Sequence, residues 1–109
     1  MLFRSRAELE AEYAAALLAA LRVTAAGKWG LFAHNTDRAT QAATAPVIAH
    51  LAELGEAIDK KREQLFMPPF ALQQQFLAAR GPVGPQAMGE PKQAQAWLDQ
   101  IARDGLASN

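Results

Sequence analysis

Large apolar side chains recur every fourth residue near the start of the chain, at Leu9, Tyr13, Leu17 and Leu21. Because an α-helix has about 3.6 residues per turn, this spacing places them on one helical face, whereas a strand would alternate them between two faces. Ser5 and Glu8 precede this face at the spacing of a capping box. Gly27 follows it and is typical of the left-handed residue that ends a helix. The pattern predicts a helix over about residues 6–26.

Further helices are indicated by apolar periodicity and by the positions of the prolines. Thr44 and Pro46 are typical of a helix start, so we expect a helix over about 45–65, preceded by a separate short piece over about 36–43. Residues 66–69 (Phe-Met-Pro-Pro) end that helix, because proline cannot donate to a preceding turn. Shorter helices are predicted from Phe70 to Arg80 and from Pro91 to Gly105. Apolar positions expected to face the core are Val47, Leu51, Leu54, Ile58, Leu65, Phe70, Leu72, Phe76, Leu77, Ala94, Trp97, Leu98 and Ile101.

No segment of four or more residues alternates as a strand does. The 109 residues, of which 50% are hydrophobic, fit a single helical domain over 1–109. The predicted fold class is therefore all-α, an irregular antiparallel bundle of about four helices, two long and two short, with short connections between antiparallel neighbours.

Charge and cysteine content limit the classes of function. Eleven basic residues balance eleven acidic ones, and each half of the chain is balanced as well. Nucleic-acid and anionic-membrane binding both draw on basic excess, so we expect neither partner. Without cysteine there is no disulfide, thiolate metal site or cysteine nucleophile. The N-terminal residues lack the apolar core of a secretion signal, and no apolar run reaches the length of a membrane span, so we expect a cytoplasmic protein.

The segment after the first predicted helix is the most unusual stretch. Trp29, Leu31 and Phe32 are costly to leave in water, so one interpretation is that all three cap the bundle core. The other is that Leu31 and Phe32 point inward while Trp29 stays partly exposed as an anchor for a partner, with Lys28 and His34 at its rim. The simpler interpretation of His34 and Asn35 is a helix cap, in which Asn35 accepts a hydrogen bond from the backbone and His34 is half exposed. The candidate partner-binding residues are Lys28, Trp29, Phe32, His34 and Asn35.

Other polar groups do not assemble into a known catalytic or metal pattern. His50, Glu53 and Glu56 share a helical face, but bundle metal sites use the order Glu-x-x-His in two copies, and no second copy is present. The two serines, Ser5 and Ser108, suit a helix cap and a tail, so no catalytic triad is expected. We predict no catalytic residue, no bound metal and no cofactor.

The sequence therefore favours a small, non-enzymatic helical module that binds another protein or associates with itself. The alternative is a small enzyme or ligand-binding domain with a pocket near Lys28, His34 and Asn35.

Overall fold

The computed structural model describes residues 4–27, 38–77 and 91–106. Over these ranges the chain forms helices and no strand, which confirms the all-α prediction. The helices are α1 (Arg6–Ala25), α2 (Arg38–Gln64), α3 (Ala71–Leu77) and α4 (Pro91–Asp104). Two of them are long and two short, as predicted. None of the described helices is long and apolar enough to cross a membrane.

Helix α1 begins and packs as its sequence predicts. The Ser5 hydroxyl accepts a hydrogen bond from the Glu8 backbone N–H at 3.1 Å, and the Glu8 carboxylate accepts one from the Ser5 N–H, which completes the capping box. Gly27 follows Ala26, the C-cap residue of α1. The Gly27 N–H bonds to the Thr24 carbonyl in a tight final turn. The buried face of α1 consists of Leu9, Tyr13, Leu17, Ala20, Leu21 and Thr24.

The prediction of two separate helical pieces over 36–43 and 45–65 is wrong, because α2 covers most of both ranges. It is continuous from Arg38 to Gln64, with Pro46 inside it. Proline removes the hydrogen bond to the carbonyl four residues earlier, here that of Ala42. Both Pro46 and Ala42 are exposed, so water can satisfy that carbonyl and the helix continues. Leu65 lies beyond the helix end and is 58% exposed, so its expected place in the core is wrong.

The core forms where α2 and α4 pack against α1. Trp97 is fully buried and stacks on Phe76 with ring centroids 6.1 Å apart, which confirms its predicted core position. Leu98 and Ile101 pack against the same core and are partly buried. Leu77 is 56% exposed, contrary to expectation. It is the last residue of α3 and lies on a different side of that helix from the buried Leu72.

The start of α1 lies beside the end of α2, since Glu10 forms an ion pair with Arg62. A second contact, between Glu12 and His50, joins a later residue of α1 to an earlier residue of α2, so the two long helices run in opposite directions. This arrangement places the connection between α2 and α3 next to the first turns of α1, and that connection carries the candidate site.

Candidate functional site

The five partner-binding residues predicted from sequence lie outside the residues that the structure describes. They are Lys28, Trp29, Phe32, His34 and Asn35. Their assignment, and the alternative of a ligand pocket among them, stay predictions. The described residues present a different candidate site, which we call the α2–α3 corner and define as residues 65–70.

The α2–α3 corner exposes large apolar side chains. Phe66 is 97% exposed, the most of any described large apolar side chain, and Leu65 beside it is 58% exposed. Pro68 and Pro69 are also exposed, whereas Phe70 returns to the core. Single exposed apolar residues are ordinary on protein surfaces. A fully exposed aromatic ring next to a leucine and two prolines is a small contiguous apolar surface.

The backbone at Phe66 is strained. The Met67 N–H bonds to the Arg62 carbonyl at 2.8 Å, and the Phe66 N–H bonds to the Glu63 carbonyl at 3.1 Å. This pair of bonds is a Schellman motif, in which the residue at the Phe66 position is left-handed and usually glycine. Phe66 has φ of 57°, and it is the one non-glycine residue with positive φ among those described. A bulky residue in this conformation is an outlier that costs about 1–3 kcal/mol.

Arg62 holds the corner against α1. Its Nε donates to Glu10 Oε2 at 2.7 Å, and its Nη1 donates to the Pro68 carbonyl oxygen at 2.9 Å. Its guanidinium lies 5.2 Å from the centroid of the Phe70 ring, within range of a cation–π contact. Arg62 is only 4% exposed, yet its charge is compensated because Glu10 accompanies it.

The ion pair also sets the charge state of Glu10. Partial burial by itself raises the pKa of Glu10, but hydrogen bonds and charges from Arg62 and Arg6 outweigh it and bring the pKa below its ordinary value of 4.5. Glu10 therefore remains ionised at neutral pH, where it can compensate the buried guanidinium.

Asp59 fixes the other side of the corner. One of its carboxylate oxygens accepts the Phe70 backbone N–H at 3.1 Å. The other accepts the side-chain amide of Gln73 at 2.9 Å when that amide is oriented with its nitrogen toward α2, where it also lies 3.3 Å from the Gly55 carbonyl. Burial, followed by the Asp59 charge, raises the pKa of Tyr13, whose ring meets that of Phe70 edge-on. These contacts hold α3 onto α2.

A pocket of about 320 Å³ opens beside Phe66. Its lining consists of Asp59, Arg62, Glu63, Met67, Pro69 and Gln74. Arg62 and Asp59 are already engaged in the contacts above, while the Glu63 side chain is exposed and has no partner among the described residues. The pocket therefore combines an apolar wall with one available carboxylate.

His50 does not join the carboxylates suggested by its sequence spacing. Its Nε2 instead lies 3.1 Å from Glu12 Oε2 on α1, and the same carboxylate pairs with Arg4. The Arg4 hydrogen bond, partly opposed by desolvation, is the main cause of a lowered pKa at Glu12. Within the described ranges no three His, Cys, Asp or Glu side chains gather as a metal site.

Sequence reasoning treated residues 66–69 only as the end of a helix. One local signal pointed to more: an aromatic residue occupies the position after the helix where glycine is usual. No protein-family model, curated protein or solved structure matches this chain.

Proposed function

We propose that this protein is a small, non-enzymatic helical module that binds another protein through the α2–α3 corner. The observation that carries the proposal is Phe66, a phenylalanine that is 97% exposed and held in a left-handed conformation. Glycine would relieve that strain, and no buried contact of the Phe66 side chain offsets it. Strained residues of this kind concentrate at functional sites.

The surroundings of Phe66 suit a contact surface. Aromatic residues are enriched at protein interfaces, where one or a few of them supply most of the affinity. Arg62 and Asp59 hold the backbone that follows Phe66, at Pro68 and Phe70, so less backbone freedom remains to be lost on binding. Leu65 enlarges the apolar area next to the ring.

The proposal includes a reducing, cytoplasmic setting and a protein partner. The absence of cysteine and the balance of basic and acidic residues in each half of the chain support this setting and argue against nucleic acid or an anionic membrane as the ligand. Association with a second copy of the chain is the special case in which the partner is identical.

Site-specific photocrosslinking tests the proposal. Replacement Phe66→p-benzoylphenylalanine keeps an aromatic ring at the corner and makes it reactive toward whatever contacts it. Leu77→p-benzoylphenylalanine is the matched control, because Leu77 is also large, apolar and exposed, at 56%, but ends α3. We expect irradiation in native cell extract to give a discrete protein adduct from position 66 that unlabelled wild-type protein competes away.

The control position and a glycine variant decide the interpretation. Equal amounts of adduct from positions 66 and 77 would contradict a specific role for Phe66. The same conclusion would follow if excess wild-type protein and excess Phe66→Gly variant reduced the adduct equally. Competition by wild type and not by Phe66→Gly supports it, since glycine keeps the backbone conformation and removes only the ring.

A further inference from the structure

The second half of α2, which ends at the α2–α3 corner, carries several acidic residues. Residues of a helix that are three or four apart share a face. Three exposed carboxylates occupy the outer face of the second half of α2 together with one lysine: Glu53, Glu56, Glu63 and Lys60. The face is acidic although the whole chain is neutral.

At the pocket, the charge that remains available is negative. Arg62 is compensated by Glu10, and both carboxylate oxygens of Asp59 accept hydrogen bonds within the protein. Glu63 is left exposed at the pocket edge. The end of α2 lies at the same place, and the C-terminal end of a helix dipole also favours a cation. An apolar surface at Phe66 thus adjoins a site that attracts positive charge.

The exposed apolar area is small. A phenylalanine and a leucine together present on the order of 300 Å², whereas a stable interface buries about 800 Å² on each partner. The corner is therefore too small to hold two whole domains together by itself, and its size suits a short segment of chain. Charge complementarity indicates the composition of that segment.

We propose that the α2–α3 corner binds a short peptide segment of a partner protein in which a large apolar side chain is followed by lysine or arginine. The apolar side chain packs on Phe66 and Leu65, and the cation enters the 320 Å³ pocket beside Glu63. This inference rests on the proposed function and adds the chemistry of the partner to it.

Two synthetic probe peptides test the inference. Both have glycine–serine flanks around a short core of leucine and phenylalanine, and the core of one carries lysines where the other carries glutamates. Each is titrated into ¹⁵N-labelled full-length protein while amide chemical shifts are recorded. We expect the lysine peptide to shift the amides of residues 59–67 and 70 and the glutamate peptide to leave them unchanged. Added salt should weaken the binding.

A charge reversal at the pocket provides the decisive variant. Glu63→Lys should weaken the lysine peptide about tenfold, since an exposed ion pair is replaced by a repulsion of similar size. Asp104→Lys is the matched control, because it makes the same charge change at an exposed residue at the end of α4. It should leave both titrations as in wild type, and circular dichroism should show both variants folded.

The outcomes separate this inference from the function on which it rests. Equal binding of both peptides, or an equal effect of Glu63→Lys and Asp104→Lys, overturns the basic–apolar assignment. The assignment is also overturned if neither peptide shifts the amides. It is overturned as well if crosslinking from position 66 joins two copies of this chain. In each of these cases a specific adduct at position 66 still supports the interaction module, whereas its absence removes the proposed function itself.

Discussion

Replacing Phe66 by glycine should make the protein more stable. A non-glycine residue in the left-handed region costs roughly 1–2 kcal/mol relative to glycine. Glycine also loses more backbone entropy on folding, which offsets about 0.5–1 kcal/mol of that gain. Because Phe66 is 97% exposed, no buried apolar area is lost. The expected net change in Phe66→Gly is a stabilisation of about 0.5–1 kcal/mol, or a rise in Tm of about 2–6 °C for a domain of this size.

The measurement is thermal and urea unfolding of wild type, Phe66→Gly and Phe66→Ala, followed by circular dichroism. Phe66→Ala is the matched control, because alanine removes the ring and keeps the Cβ that makes the left-handed conformation unfavourable. Alanine should therefore unfold close to wild type while glycine unfolds at higher temperature. The urea dependence should have the same slope in all three proteins, since the surface exposed on unfolding is unchanged.

A destabilised Phe66→Gly variant would refute this reasoning. It would mean that the Phe66 ring makes contacts that stabilise the folded chain, and an exposed binding role would lose its basis. Equal stabilisation by glycine and alanine would instead show that removal of the exposed ring is responsible and that the strained backbone is not.

Three further predictions concern the contacts that hold the helices together. Arg62→Ala should lower the free energy of unfolding at pH 7 by about 3 kcal/mol, because it leaves Glu10 partly buried without its main partner. The pKa of Glu10 is lowered in the folded state, so the stabilisation from its charge is present above pH 4.5 and is lost as the pH falls through the folded-state pKa. Chemical unfolding at pH 3 should accordingly show a smaller effect of Arg62→Ala on the free energy of unfolding. Trp97→Ala should cost about 3–5 kcal/mol by thermal melting, since Trp97 is fully buried. Gly55→Ala should gain about 1 kcal/mol of helix stability only when Gln73→Ala is also present, because the new methyl group meets the Gln73 side chain. A double-mutant cycle of the two substitutions measures this coupling.

The helices that follow from local patterns were predictable from sequence. The four-residue apolar spacing and the capping box of α1 are local features, and the structure has both. The break predicted before Pro46 was wrong because the penalty of proline depends on whether the freed carbonyl can reach water, and that carbonyl lies on an exposed face. Leu65 and Leu77 continued an apolar pattern past the point where a neighbouring helix covers it.

The α2–α3 corner could not be assembled from sequence because its contacts join distant residues. Glu10 and Arg62, which hold the corner against α1, are separated by 52 positions. Elsewhere in the fold, His50 and Glu12 are separated by 38 positions. Spacing along one helix instead suggested His50 with Glu53, which is a relation within α2 only. The exposure of Phe66 likewise depends on how the chain returns to the core at Phe70, just before α3. No local sequence pattern predicts that return.

Arg62 connects the stability of the corner with the geometry of its exposed ring. Its backbone carbonyl accepts the Met67 N–H, and its side chain donates to the Pro68 carbonyl oxygen. The two bonds restrain the backbone immediately after Phe66 and so favour its left-handed conformation. A side chain carried on a restrained backbone loses less backbone entropy on binding than one on a free loop. The ion pair with Glu10 compensates the charge of the guanidinium that donates to Pro68, so it supports the backbone that carries Phe66 as well as the folded chain.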